Sequence, residues 1–263
     1  MIWSEEAENS VSKAPFFVRN RIRSKVEQYA KDRGKARVDL DDVTDLKKQY
    51  LAKGGMEKEI KGYSLTACFG NSGCSNRIPD TASLMNKMET VIRKADLLTF
   101  LKNTVKGDLK FHHEFRVAVA DCPNACSRPQ IADMGVIAAA VPMITCEPCT
   151  RCLACVDTCR EKSIFVDEET GQVDIDSDSC VMCGRCISAC PSGTLASGNT
   201  GYRVMLGGRL GRHPRLAMEL EGLYTEDQVT GILNNALYFY KSRSTDGTRF
   251  AHLFQSPEQI FAE

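Results

Sequence analysis

Nine cysteines fall between Cys146 and Pro191 in two runs. The first is Cys149-x2-Cys152-x2-Cys155-x3-Cys159, preceded by Cys146; the second is Cys180-x2-Cys183-x2-Cys186-x3-Cys190-Pro191. Three thiolates two residues apart wrap one corner of a cubane, and a fourth, three residues further on, points away toward a second cluster. The spacing therefore predicts two [4Fe–4S] clusters with crossed ligation. Cys149, Cys152, Cys155 and Cys190 hold one; Cys180, Cys183, Cys186 and Cys159 hold the other. Structural zinc is the competing use of C-x2-C pairs, but it needs neither a doubled triplet nor a remote fourth cysteine. Between the runs, residues 163–167 and 172–176 read as two short strands joined by a turn at 169–171.

The rest of the chain must accommodate this insertion. At 263 residues and 43% hydrophobic content, it is long enough to bury a real core. Lys and Arg (34) balance Asp and Glu (34), which argues against nucleic acid or an anionic membrane as partner of the whole surface. No apolar run approaches the about 18 residues that a membrane span needs. The N-terminus lacks a basic stretch followed by an apolar one, so thirteen cysteines are expected as thiols in a reducing cytoplasm rather than as disulfides.

Residues 1–55 are expected to form a small helical module. Val18, Ile22, Val26, Tyr29 and Ala30 make one helical stripe that Gly34 ends, and Val43, Leu46, Tyr50 and Leu51 make a second that starts near Asp41 or Asp42. Two such helices need another surface to build a core, and Gly54-Gly55 reads as a linker. The pattern Trp3, Glu6-Ala7, Pro15-Phe16-Phe17-Val18-Arg19, Glu27, Ala30, Gly34 resembles the small domain that ends the B subunit of light-independent protochlorophyllide reductase. That resemblance implies a place beside a tetrapyrrole; a docking helix pair without ligand is the plainer reading.

Residues 56–145 hold a second constellation, Cys68-x5-Cys74 and Cys122-Pro-Asn-Ala-Cys126. Between them the pattern predicts a helix after Asp80-Thr81, with Leu84, Met88, Val91, Ile92, Ala95 and Leu98 on one face. An alternating strand through Phe115, Val117 and Val119 follows and delivers Cys122 at its end. The spacing alone leaves cluster ligation, zinc and free thiols open. Further on, residues 201–206 read as a strand, followed by a glycine-rich loop. Arg203, Arg209, Arg212 and Arg215 place four positive charges within thirteen residues, beside His213. An anion site and a solvated turn are both open for this loop.

Cys68-x5-Cys74, Cys122-Pro-Asn-Ala-Cys126, Asp133-Met-Gly-Val-Ile, the insertion, and the run from Gly201 to Pro214 together resemble siroheme-dependent sulfite and nitrite reductases. The likeness is nearest to the anaerobic and dissimilatory members that carry an inserted ferredoxin. The resemblance implies an α+β fold: a sulfite/nitrite reductase-like half domain (56–145 and 196–263), an inserted bacterial-type 2[4Fe–4S] ferredoxin (146–195) and the N-terminal module. It implies that Cys68, Cys74, Cys122 and Cys126 hold a third [4Fe–4S] cluster, with Cys126 bridging to siroheme iron, and leaves room for siroheme itself. Cys126, Arg209 and Arg212 are then the catalytic candidates. Arg203, Arg209, Arg212, His213 and Arg215 are the candidates for holding the cofactor. Three cubanes use twelve thiolates and leave Cys146 over.

On this reading electrons pass from the insertion to the third centre, which reduces a small inorganic anion, sulfite or nitrite. An electron-donor protein is implied, along with a homo-oligomer or a larger reductase assembly. The pattern departs from the family in one respect. Only 67 residues precede Cys68, and they match another module, so the cations of the first reductase half would have to come from Arg19, Arg21, Arg23 and Lys25 or from a second polypeptide. A non-catalytic electron-transfer subunit is the alternative. A redox sensor is disfavoured because no DNA-binding motif accompanies the clusters. His112-His113 reads as a solvated loop before a strand, and Thr225-Glu-Asp-Gln228 as a capping box opening a helix whose Val229, Ile232, Leu233, Ala236 and Leu237 face the core.

Overall fold

In a computed structural model, residues 1–14, 16–52, 60–68, 73–78 and 81–261 are described. The chain divides into two compact units, Met1–Ile60 and Lys61–Glu263. Gly54-Gly55 and Asp80 lie outside the described residues.

The first unit runs β1 (Ile2–Trp3), α1 (Glu5–Ser12), α2 (Phe16–Asp32), β2 (Arg37–Val38) and α3 (Leu40–Ala52). It has three helices where the sequence suggested two, and β1 and β2 pair in parallel, Ile2 with Arg37 and Trp3 with Val38. The short α1 escapes periodicity because its buried face is only Ala7 and Val11. These two residues nevertheless change the energetics. They join Val26, Ala30, Val38 and Val43 in a small core, with Trp3, Ile22 and Leu46 packed against it, so the helices do not depend on another surface for one. The Trp3 indole donates to Glu27 Oε1 at 2.9 Å, and Arg23 lies 5.0 Å above the same ring.

Asp42, buried at the start of α3, accepts from the Asp39 amide at 3.0 Å and from Lys35 Nζ at 2.7 Å. The amide bond is the returning half of a capping box. Burial alone would raise the Asp42 carboxyl, but the Lys35 and Asp39 hydrogen bonds prevail and hold it below the ordinary carboxylate range. A group depressed in this way stabilises the fold above its unfolded pKa and loses that contribution as pH falls through the folded value.

The second unit is built on one five-stranded sheet. Its strands are β3 (Tyr63–Ala67), β4 (Phe115–Ala120), β5 (Met134–Ile144), β8 (Leu195–Leu206) and β9 (Met218–Glu219), neighbours in that order. The first three run parallel, and β8 returns antiparallel to β5 from Met134↔Leu206 to Ile144↔Leu195. Strand β8 thus begins six residues before the segment expected from sequence. Strand β4 is buried on both faces, as a central parallel strand should be.

The predicted helix after Thr81 is two helices, α4 (Ala82–Lys94) and α5 (Leu97–Thr104), because Asp96 turns left-handed at φ 45° and its side chain caps α5. Leu84, Met88 and Ile92 are buried as the pattern indicated, whereas Leu97 and Leu101 are the buried residues of α5. The insertion between β5 and β8 holds α6 (Ala154–Thr158), the hairpin of β6 (Ile164–Val166) and β7 (Val173–Ile175), and α7 (Arg185–Ala189). The long α8 (Glu226–Arg243) opens on the Thr225/Gln228 capping box and buries Val229, Ile232, Leu233, Ala236 and Leu237. It is followed by α9 (Phe250–Leu253) and α10 (Glu258–Phe261).

Asp133 ties this unit together. It is 1% exposed, accepts the Arg116 amide of β4 at 2.9 Å and the Ala251 amide of α9 at 3.2 Å, and pairs with Arg249 at 3.3 Å. Removing one partner of a buried pair leaves the other charge uncompensated. Asp133→Ala should therefore lower stability by about 3–5 kcal/mol, read as an earlier denaturant midpoint; a change below about 0.5 kcal/mol would mean that Arg249 finds water. In the first unit, which contains the sole tryptophan, Trp3 fluorescence should show acid destabilisation below about pH 4. Asp42→Asn should flatten that dependence while weakening the unit near neutral pH by about 1–2 kcal/mol.

Candidate iron–sulfur centres

The insertion is a two-fold repeat at the level of backbone. In each run the residue before the second cysteine and the residue after it are left-handed: Arg151 (φ 58°) and Leu153 (57°) in the first, Met182 (56°) and Gly184 (68°) in the second. Three of these four are not glycine, so each loop stores strain that its surroundings must offset. This turn exposes consecutive amides toward the interior of the loop. Each run ends in a one-turn helix, α6 or α7, that places the third cysteine in the core and the fourth at its C-cap, Cys159 or Cys190.

Cys190 of the second run lies near Cys155 of the first. Cys155 is raised first by burial and then, among charges, by Cys190 and Cys149. Cys186 is pushed up to about 11 by burial and by Cys183 and Cys180. Each remote cysteine has the opposite character. Burial would raise Cys190, but the Leu195 amide at 3.4 Å and the Ser192 hydroxyl at 3.5 Å bring it to about 7. Cys159 is likewise lowered against burial, by the Ser163 hydroxyl at 3.6 Å and the Ser163 amide at 3.3 Å. Buried thiols crowded together resist becoming thiolates without a cationic centre, and binding iron drives that deprotonation. The donor set therefore fits two cubanes.

The third constellation is assembled at the C-terminal ends of neighbouring parallel strands. Cys68 follows β3 and Cys122 follows β4; the Cys68 amide bonds to Val119 O at 3.1 Å. Cys122 is buried and Cys126 exposed. Burial raises the Cys122 thiol, and the nearby Cys68, Cys74 and Cys126 raise it further against an opposing bond from the Asn124 amide. Cys68, Cys74 and Cys126 thus lie near Cys122. Asp121, which with Asp80 and Asp133 offers no paired-carboxylate spacing in the sequence, links their segments. Its amide donates to Cys68 Sγ at 3.3 Å, its carbonyl accepts from the Ile78 amide of the Cys74 loop at 3.0 Å, and its Oδ1 accepts from the Thr81 hydroxyl at 2.6 Å. Its Oδ2 is buried and has no partner among the described residues.

The glycine-rich loop is arranged differently from the anion cradle that four arginines suggested. Arg203 forms a fork with Glu219 at 2.5 and 2.7 Å. Arg209 donates to His213 O and Ala251 O at 3.0 and 2.6 Å. Arg215 reaches Gly207 O, Ala251 O and Phe254 O at 3.0, 2.9 and 2.9 Å. Arg209 and Arg215 hold the loop closed on α9 because their acceptors are backbone carbonyls, several of them remote in sequence. Arg212 and His213 are the exposed members of the set. The two leading glycines serve packing: a Cβ on Gly208 would stand 2.5 Å from Gln130 O, and one on Gly207 2.5 Å from Phe254. The loop thereby lies against residues 129–133, immediately after the Cys126 turn. These residues alone do not fit a siroheme whose carboxylates need several free guanidinium groups. His113, whose Nδ1 accepts the Lys110 amide at 3.1 Å, serves the turn before β4. Cys146 is exposed and lies outside all three quartets.

Comparison with known proteins gives two families. Residues 61–256 match the family described as nitrite and sulphite reductase 4Fe-4S domain, and residues 3–47 match the proto-chlorophyllide reductase 57 kD subunit. The coenzyme F420-dependent sulfite reductase of Methanocaldococcus jannaschii is 28% identical over 202 residues, 76% of this chain and 30% of that protein. The C subunit of the anaerobic sulfite reductase of Salmonella typhimurium is 28% identical over 204 residues, 76% of this chain and 53% of that protein. The chain thus spans about half or less of these relatives. The crystal structure of dissimilatory sulfite reductase I superposes with a TM-score of 0.50 at 16% identity, over 76% of this chain and 54% of that one, a likeness of fold.

If Asp121 organises the third quartet, Asp121→Ala should lower iron from about twelve to about eight atoms per chain, a loss of one cubane, while the insertion keeps its clusters. Iron and labile-sulfide assays on anaerobically purified protein measure this, and an unchanged count would show that Asp121 is dispensable there.

Proposed function

This chain belongs to the nitrite and sulphite reductase 4Fe-4S domain family, and from that premise we propose an iron–sulfur oxidoreductase that takes electrons at its ferredoxin-like insertion and uses them at the Cys68/Cys74/Cys122/Cys126 centre to reduce sulfite or nitrite. The [4Fe–4S] clusters, when bound, supply one-electron acceptance and release. One observation carries the reading. A single cleft is lined by the whole second quartet, Cys159, Cys180, Cys183 and Cys186, and also by Cys122, Pro123 and Asn124 of the C-x3-C turn. The second quartet is therefore the insertion's inner site, beside the third constellation, and the Cys149/Cys152/Cys155/Cys190 quartet is the outer one. Two related sulfite reductases over three quarters of the chain support the substrate class.

In this proposal Cys126, exposed, would be the cysteine that holds a siroheme were one bound with a partner's help, and Arg212 and His213, both exposed, would offer anion contacts at the loop tip. Arg209 is a positioning residue, since Ala251 O occupies its Nη1. The cations that Arg203, Arg209 and Arg215 do not provide come from a partner polypeptide. The same arginine commitments favour a second reading, an electron-transfer subunit that holds three clusters and no tetrapyrrole.

Protein expressed with a siroheme supply and purified anaerobically distinguishes the two. The first reading expects tetrapyrrole absorption and turnover of sulfite or nitrite with an artificial donor. A tetrapyrrole-free, inactive chain that co-purifies with a larger polypeptide would overturn it in favour of the second.

A further inference from the structure

Arg185 lies between the ligands Cys183 and Cys186 and is the first residue of α7. Its Nη2 donates to Oδ1 of Asn76, 109 positions away in sequence, and Asn76 Nδ2 donates in turn to Cys74 Sγ at 3.9 Å. One side-chain bridge thus joins a residue flanked by ligands of the second quartet to a ligand of the third. Arg185 and Asn76 both line the cleft that holds Cys122, Cys183 and Cys186.

The second run is also anchored through the backbone. The β5–β8 register shifts between Ala140 and Pro142, and at that irregularity the Ala140 amide bonds to Met182 O at 2.8 Å, with a parallel bridge from Ala140 to Cys183. Gly184 permits this approach: a Cβ there would come within 3.1 Å of Ala140 Cβ, and its φ is +68°. The backbone anchor holds the run to the sheet through Ala140 of β5. The Cys74 loop is tied through the Ile78 amide to Asp121. The Arg185–Asn76 bond directly connects the ligand loop of one site with the ligand run of the other.

We infer that Arg185 and Asn76 are positioning residues, a strut that fixes the separation of the inner insertion site and the Cys68/Cys74/Cys122/Cys126 site. This rests on the proposal above that both sites hold clusters. Two paramagnetic centres broaden each other's signals according to their separation, so the strut has a spectroscopic signature that global stability does not share. In dithionite-reduced protein, Arg185→Ala and Asn76→Ala should keep about twelve irons but weaken the electron paramagnetic resonance splitting between the two centres. Amide hydrogen exchange over residues 74–78 should quicken by on the order of tenfold as the loop opens locally. Arg185→Lys should restore part of both. Asn76→Asp keeps the acceptor for Arg185 and removes the donor to Cys74, so it should behave like wild type if the strut is what matters.

Unchanged splitting and unchanged exchange in both alanine variants would overturn the inference. So would an Asn76→Asp protein as loose as Asn76→Ala, which would assign the effect to the sulfur bond. Should the wild-type third site hold no iron, the functional proposal fails at the iron count; hydrogen exchange still reads the strut, with the same two outcomes.

Discussion

The antiparallel pairing of β5 with β8 is the constraint on which the rest of the second unit depends. Its far end, Ile144↔Leu195, closes the base of the insertion, and its near end, Met134↔Leu206, sits beside the strand that delivers Cys122. A hairpin of this length makes two distant cysteine clusters neighbours without any long loop having to find its place. Beside the register irregularity at Ala140 and Pro142, the Ala140 amide bonds to Met182 O of the insertion. Bulges recur beside functional sites for this kind of redirection. Asp133 reinforces the arrangement from the other side by tying β4 and α9 together through one buried carboxylate.

Within the insertion, the division between raised and lowered thiols follows from where each cysteine falls on its helix. The third cysteine of each run points into the core and is penalised as a thiolate. The fourth stands at a helix C-cap, where the next turn of chain offers amides and a serine hydroxyl. Each run therefore combines a deep cysteine whose thiol burial raises with a fourth cysteine whose thiol hydrogen bonds lower. Amide bonds to sulfur of this type also tune cluster potentials, and they arise here from local turns that tertiary packing only has to preserve.

Much of this was legible in the sequence because cluster ligation is a local, spacing-dependent property. The two cysteine runs, the β6–β7 hairpin with its turn, the strand ending at Cys122 and the Thr225/Gln228 box all depend on residues close together in the chain. The missed features depend on distant partners or on residues without a pattern. Helix α1 buries only one alanine and one valine. Asp96 breaks a long helix by adopting a left-handed conformation that its neighbours do not announce. Arg203, Arg209 and Arg215 read as a cationic cradle until Glu219 and the carbonyls of Ala251 and Phe254, brought close by the fold, claim their guanidinium groups. Asp121 carries no motif; its importance lies in which three segments it joins.

In the function proposed here, twelve of the thirteen cysteines form three separate cubane sites, two in the insertion and one at the ends of β3 and β4. Mössbauer spectroscopy of anaerobically purified protein grown on iron-57 tests it most directly. The account predicts that essentially all protein-bound iron appears as [4Fe–4S] clusters, about twelve atoms per chain. A spectrum accounting for only about eight atoms in cubanes, or iron in mononuclear tetrathiolate form, would contradict it.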